Sequence, residues 1–303
     1  MIETSIVIPT YRRSEHLTRA LASCVAQQGV AGVFEIVVVD NDADGSARPV
    51  VEATAQRSAV LIRYVAESRP GISHARNTGV ANASGRYLAF LDDDEEAAPG
   101  WLAAFVSTIR RSGADAVIGP VYPRFHARSP VIDAYRRKVF TRDAKVPTGT
   151  TLLRWSGIGN TLLDKERCFV TAEPFDPRLG LSGGEDTVFL RQLLRRGGKL
   201  VWCAEAAVWE TVVAEKLASR LLLRRAFRGG QTTTFVCTAV VPPEHGRAAL
   251  WMATGCAQAV LYAPAALLLR ALNRERWLPV MVKAVGGLGK VIWHPKLHVR
   301  LYR

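Results

Sequence analysis

The sequence predicts an α/β fold: a mostly parallel twisted sheet flanked by helices, followed by a C-terminal helical segment that associates with a membrane. Three observations predict it. Residues 1–120 alternate short apolar runs with helix-patterned stretches. The runs ending at Val39 and Leu91 pass directly into clustered aspartates, at the carboxyl ends of strands where parallel sheets hold ligands. Residues 248–269 carry no charged side chain.

The elements follow in chain order. Ile6 to Ile8 is a strand, and Thr10 to Gln28 is loop and then helix, with Leu17, Leu21 and Val25 repeating at spacing four. Glu35 to Val39 is a strand rich in β-branched residues; Asp40 to Ser46 is a polar loop; a helix covers 48–57 and a third strand Val60 to Val65. Gly71 to Ala83 is a loop entering a helix, and Tyr87 to Leu91 is a strand that ends at Asp92-Asp93-Asp94-Glu95-Glu96. A helix restarts at Trp101 and runs to about 111, and Ala116 to Gly119 is a fifth strand. Residues 121–160 are irregular and basic, with Arg136, Arg137 and Lys138; Thr151 to Leu153 and Asn160 to Leu163 can form strands. Glu185 to Leu194 is a helix stopped by Gly197 and Gly198, and Lys199 to Cys203 is another strand. Lys216 to Arg228 is a helix carrying Arg220, Arg224, Arg225 and Arg228. The composition shifts near Val241-Pro242-Pro243, which divides the chain into a catalytic domain at 1–235 and a helical, basic and apolar region at 236–303.

Composition narrows the class of function. The 303 residues are long enough for a full core, and 22% charged side chains exclude a disordered chain. A formal net charge of +13 attracts anions, whether nucleoside diphosphates, nucleic acid or acidic lipid headgroups. The five cysteines are scattered without a C-x-x-C pair, which argues against a disulfide framework or structural zinc. The N-terminus lacks a basic segment followed by a long apolar run, so the protein is expected to stay where it is made. Gly286 to Lys290 misses the spacing of a phosphate loop, and no G-x-S-x-G or H-E-x-x-H occurs. No nucleic-acid motif accompanies the charge, and nucleic acid is not an expected partner.

The chemistry-bearing residues each admit two readings. Asp92 and Asp94 can hold Mg2+ or Mn2+ beside a diphosphate, or form a solvated acidic turn. An acidic cluster is costly unless something positive sits in it, and a metal ion is the obvious candidate. Asp40 can accept from a nucleotide or cap its own turn. Arg76 can meet phosphate or sit in a salt bridge. Asp186 can act as a general base with Glu185 orienting the acceptor or the loop, or both can cap the helix they start. Arg224 and Arg228 share a helical face suited to diphosphate, or to solvent and lipid headgroups. The uncharged stretch 248–269 can span a bilayer, lie at its surface or pack on protein.

Together these segments resemble glycosyltransferase family 2 of the GT-A fold, from Ser5 to about Gln231. The likeness is carried by SIVIPTYR at 5–12, VVDND at 38–42, GISHARNTG at 71–79, FLDDD at 90–94 and GED at 184–186. The segments around Asp40 to Asp44, Phe90 to Glu95, Ser182 to Thr187 and Arg224 to Gln231 are most similar to the ExoM type, which acts in succinoglycan assembly. The resemblance implies an inverting, metal-dependent transfer of a sugar, glucose from UDP-glucose in the ExoM type, onto a polyprenyl-diphosphate-linked oligosaccharide. It implies the cytoplasmic face of a bacterial inner membrane, with peripheral or monotopic attachment to an anionic surface. It gives the uridine to Thr10, Tyr11 and Asp40 and places Arg76 near the uridine or diphosphate. Asp92 and Asp94 serve donor and metal, Asp186 is the base, and Arg225 and Arg228 form an R-x-x-R element near the departing diphosphate. Relatives often carry a histidine metal ligand where this chain has Trp209-Glu210. These two are placed on the acceptor side, where the indole can stack on a sugar or pack in the core. The rival readings are an inactive sugar-nucleotide-binding protein, a basic nucleic-acid-binding protein and a nucleotidyltransferase.

Overall fold

The computed structural model of the protein describes residues 2–30, 32–125, 134–272, 274 and 276–299. Part of the basic 121–160 segment, residues 126–133, and the terminal Arg300 and Arg303 lie outside the described residues. The first half alternates as expected: β1 (Ile2–Thr10), α1 (Ser14–Val25), β2 (Val33–Asp40), α2 (Arg48–Ala55), β3 (Leu61–Ala66), α3 (Ile72–Asn82) and β4 (Tyr87–Phe90). The middle of the chain adds β5 (Glu95–Ala97), α4 (Trp101–Ser112), β6 (Ala116–Ile118), β7 (Val121–Phe125), α5 (Ala134–Phe140), β8 (Thr151–Leu152), β9 (Thr161–Asp164) and α6 (Lys165–Cys168). Then come α7 (Glu185–Arg195), β10 (Leu200–Trp202), β11 (Val208–Val212), α8 (Ser219–Ala239), α9 (His245–Ala271) and α10 (Trp277–Val291).

Eight strands form one sheet in the order β3-β2-β1-β4-β9-β6-β10-β8. Pairings β3-β2, β2-β1, β1-β4 and β6-β10 are parallel, whereas β9 runs antiparallel to both β4 and β6, and β8 antiparallel to β10. The sheet is therefore mixed: β9 separates β4 from β6, which the strand-helix alternation alone would set side by side. Both faces are buried, and this is why β1 and β2 read as continuous apolar runs. Ile6, Ile8, Ile36 and Val38 pack under α1 and α4 with Leu17, Leu21, Trp101 and Phe105. Val7, Val37 and Val39 face the other way, in a layer with Phe90, Phe175, Phe189 and Trp202. In α1 the buried positions are Leu17, Ala20, Leu21 and Cys24, a stripe at spacings of three and four, with Val25 at its edge.

A second, three-stranded sheet, β5-β11-β7, stands beyond the acidic turn. The expected polar run 92–96 thus ends early: Asp92 to Asp94 turn, and Glu95 and Glu96 already pair with Glu210 and Trp209 of β11. The arginine-bearing helix also differs from expectation. Lys216 belongs to a short 3-10 helix, Ala214–Leu217, and α8 continues to Ala239. The domain boundary drawn between 235 and 236 therefore falls inside a helix, and the chain breaks instead at Val240 to Pro243. No residue between Ser219 and Ala239 is a proline, so nothing in the sequence stops α8 earlier.

The last three helices pack through glycines. A Cβ at Gly230 of α8 would lie 2.1 Å from the Gly286 carbonyl oxygen of α10, and one at Gly289 would lie 1.9 Å from that of Phe227. A Cβ at Gly255 of α9 would lie 2.5 Å from the Gly287 carbonyl oxygen of α10, so the backbones touch where side chains would hold them apart. Among the described residues one helix, α9, is long and apolar enough to cross a membrane, and little of it is buried in the protein.

Candidate functional site

The carboxyl ends of β1 and β4, the start of α7 and the segment from β11 into α8 meet at one cluster of charges. β4 and β1 are adjacent and parallel, so the turn 92–94 emerges beside Thr10. Thr10 Oγ1 donates to Asp93 Oδ2 at 2.8 Å, and Arg13 Nη1 donates to Asp93 Oδ1 at 3.0 Å. Burial pushes the Asp93 carboxyl up to about 6 despite Arg13. The side chain of Asp92 is about a third exposed and lies 3.5 Å from Arg76 Nη2. A Cβ on Gly159 would come within 2.4 Å of Asp92 Oδ2, so only glycine leaves room for that carboxylate.

Arg76, buried near the start of α3, joins the acidic turn to α7. Its Nη1 pairs with Glu185 Oε1, and both side chains are almost fully buried. Arg76 thus sits in a salt bridge, one of its two readings, though a buried one, and Glu185 is its partner. Burial, reinforced by the neighbouring Asp186 charge, pushes the Glu185 carboxyl above the usual range. Its Oε2 is buried without a hydrogen-bond partner among the described residues. Asp186, the next residue, is half-buried; its Oδ1 accepts from the Thr187 N–H at 2.6 Å and from Thr187 Oγ1 at 3.1 Å. The loop before them is in the left-handed region at Gly183 and Gly184, and a Cβ on Gly184 would meet Thr232 of α8 at 2.8 Å. This close approach seats the E-D pair against the helix that carries Arg225 and Arg228. The Arg228 charge acts on Glu185, and Arg225 lies over the Phe140 ring at 5.0 Å.

Asp94 is tied to the other side of the cluster. Its Oδ2 accepts from Lys216 Nζ at 2.8 Å and from Arg13 Nη1 at 3.4 Å. Burial opposes the Asp94 charge, but Lys216 and Arg13 outweigh it and hold its pKa below the ordinary value. Lys216 Nζ also donates to Glu210 Oε1 at 3.1 Å. Glu95, fully buried, accepts from Arg142 Nη2 at 2.8 Å, and burial raises its carboxyl well above the usual range. Alternation along β11 and β5 divides the small sheet into two faces. Glu95 and Glu210 point into the cluster, whereas Trp209 lies on the opposite face with Arg124 over its ring and Glu96 beside that arginine. Of Trp209 and Glu210, both expected on the acceptor side, only Glu210 reaches the cluster.

Asp40 takes the capping one of its two readings. It is fully buried; Oδ1 accepts from the Asp42 N–H at 3.1 Å, and Oδ2 from the Ala47 N–H at 2.8 Å and the Tyr64 hydroxyl at 3.1 Å. The carboxylate caps its own turn and shapes the loop 41–47. Tyr11 remains part-exposed at the end of β1, under the Arg12 guanidinium at 5.3 Å.

The residues present do not fit a resident Mg2+ or Mn2+. The oxygens of Asp94 and Glu210 that would converge on an ion converge on the Lys216 ammonium, and Asp92 faces Arg76. Among the described residues, no group of three or more His, Cys, Asp or Glu side chains is placed to hold a metal. The acidic cluster does have positive charge in it, supplied by Arg13, Arg76, Arg142 and Lys216. Arg13, Arg142 and Lys216 are not legible as site residues in the sequence, because an isolated basic residue carries no periodic or spacing signal. A hollow of about 580 Å3 between α1 and α2 lies away from this cluster and has no acidic side chain in its lining.

Residues 5–169 match the model of glycosyl transferase family 2. The chain is 34% identical over 236 residues to the succinoglycan biosynthesis protein ExoM of Rhizobium meliloti, covering 76% of this chain and 74% of that protein. Its fold is similar to the crystal structure of S. aureus TarS residues 1–349 in complex with UDP, with a TM-score of 0.53, 16% identity, and coverage of 96% and 90% of the two chains. It is also similar to that of GalNAc-T7 with UDP, GalNAc and Mn2+, with a TM-score of 0.57, 18% identity, and coverage of 78% and 50%.

Proposed function

Since the chain belongs to glycosyl transferase family 2, we propose that it transfers a sugar from a UDP donor, with inversion, onto a lipid-linked oligosaccharide during assembly of a bacterial exopolysaccharide. The observation that carries this reading is the joining of Asp92 to Glu185 through Arg76, although the two carboxylates are 93 positions apart in the chain. The relation to the succinoglycan biosynthesis protein ExoM supports exopolysaccharide assembly, and the UDP bound by TarS and GalNAc-T7 supports a uridine nucleotide; glucose is proposed as its sugar, as the resemblance to the ExoM type implies.

The mechanism is a direct displacement. Asp186 takes the proton of the acceptor hydroxyl as its oxygen bonds to the anomeric carbon. The bond from that carbon to the UDP oxygen breaks on the opposite face, and configuration inverts. Thr10 and Tyr11 line the uridine end. Asp40 contributes indirectly, by fixing the loop after β2. Negative charge on the departing UDP meets Arg225, Arg228 and the cations already set among the carboxylates, in positions held before reaction. Glu185 keeps Arg76 aimed at Asp92. No step is assigned to a metal ion, because Lys216 stands where its ligands converge.

Attachment to the inner membrane through α9 and α10 brings the enzyme to a lipid-borne acceptor. Leu250, Val260, Leu261, Leu267 and Leu268 are exposed on α9. Lys283 lies over Tyr262 at 5.0 Å and Lys290 over Trp251 at 4.7 Å, an aromatic and basic pairing suited to a headgroup layer. The 15 residues of α10 reach only about 22 Å, short of the hydrocarbon thickness, which supports surface attachment over a spanning hairpin. A screen of UDP-sugars against isolated lipid-linked intermediates tests the proposal. Asp186→Asn is expected to lower transfer by roughly 10²- to 10⁴-fold while leaving UDP-sugar binding intact. Full activity in that variant would remove the base from the scheme.

A further inference from the structure

We propose that the Lys216 ammonium is the resident cation of this site, occupying the place between Asp94 and Glu210 where a divalent ion would bind, so that lysine and metal exclude one another there. The catalytic meaning of this inference rests on the transferase reading; its binding consequence does not. Nζ lies 2.8 Å from Asp94 Oδ2 and 3.1 Å from Glu210 Oε1, which ties the turn after β4 to β11. An ammonium has three donors, so one remains for a phosphate oxygen after these two contacts. Lys216 is brought there by the short 3-10 helix that directly follows β11, only six residues after Glu210. The surrounding carboxylates are already braced from the other side, with Arg13 on Asp93 and Asp94 and Arg142 on Glu95. A metal ion at Asp94 would face this ammonium within a few ångströms and would have to displace it.

Two consequences follow. Transfer by the wild-type protein runs without an added divalent ion, because Lys216 already supplies charge beside the departing diphosphate. Removing the lysine charge exposes Asp94 and Glu210 as a metal site absent from the parent. The test uses the full-length protein and Mn2+ alone, with free Mn2+ read by electron paramagnetic resonance and no nucleotide present. Lys216→Met is expected to bind Mn2+ at least about tenfold more tightly than wild type, and adding Asp94→Asn is expected to abolish that gain. Lys216→Arg keeps the charge and is expected to bind as weakly as wild type; it serves as the folded control, with cooperative thermal unfolding checked for each variant. In transfer assays with chelator, wild type is expected to stay active, whereas Lys216→Met is expected to need Mn2+. Equal Mn2+ affinity in wild type and Lys216→Met, or loss of wild-type transfer in chelator with recovery on adding Mn2+, would overturn the proposal. A protein that transfers no sugar under any condition instead defeats the transferase reading, and the Mn2+ titration still decides the role of Lys216.

Discussion

Arg76 and Glu185 form the most buried ion pair in the site, and its behaviour on mutation should be asymmetric. Taking away one partner strands a charge in a dry environment; taking away both does not. Arg76→Met is expected to destabilise the fold by about 3 kcal/mol, and Arg76→Met with Glu185→Gln by clearly less, measured by denaturant unfolding as a double-mutant cycle. Glu67 offers a pH test outside the site. Hydrogen bonds from Arg69 lead the causes that lower its carboxyl to about 2, with Thr78 adding to them. A carboxyl lowered on folding stabilises the protein above its ordinary pKa and loses that contribution as pH falls through the folded value. Wild type should therefore lose about 2 kcal/mol, discounted for the exposed Arg69, relative to Glu67→Gln between about pH 4.5 and 2. Thermal midpoints across that range check it. Asp93 works in the opposite sense: its carboxyl is raised to about 6, so its contribution to stability declines as pH rises from about 4 to 6.

At the level of elements, local pattern and long-range pairing divided what could be read in advance. β1, β2 and β4 were legible because both of their faces are buried and each ends in polar residues at the carboxyl edge. The acidic turn was legible for the same reason, and the E-D pair because it follows Gly183-Gly184 at the start of a helix-patterned run. β5 was not, because Glu95 and Glu96 enter a strand only by pairing with β11, more than a hundred residues away. Nor was the place of β9 in the sheet order, since Thr161 to Asp164 looks the same whether it lies at an edge or between β4 and β6. Arg142 and Lys216 reach the site by the same non-local route. The Asp40 carboxylate looked like a ligand contact because it ends a strand, yet the loop after it takes up both oxygens. Gly159, just before β9, tests how far the acidic turn depends on that inserted strand. Gly159→Ala places a methyl group against Asp92 Oδ2 and is expected to cut transfer by about tenfold or more through misplacement of Asp92. Cooperative unfolding should persist, as steady-state kinetics and thermal melts on the same preparation would show.

Over the whole molecule, charge and apolar surface are unevenly distributed. The net charge is +13, and residues 244–303 contain nine Lys and Arg against two acidic residues, beside the exposed leucines of α9. The protein is expected to co-sediment with vesicles containing anionic lipid, and to release only in part as salt is raised, because screening weakens the basic contribution but leaves apolar insertion intact. Deleting 240–303 should abolish co-sedimentation. A full-length protein that stays in the supernatant with anionic vesicles would exclude the membrane assignment. One feature gives this arrangement a mechanical side. α8 is an unbroken rod of 21 residues, about 32 Å long. Its early turns carry Arg225 and Arg228, proposed to meet the departing diphosphate, and its middle is locked at Gly230 against α10. Such a rod works as a caliper. On the proposed attachment it sets the height of the reacting groups above the bilayer, and the acceptors taken are then expected to depend on how far their sugar chain extends from the lipid as well as on which sugar ends it.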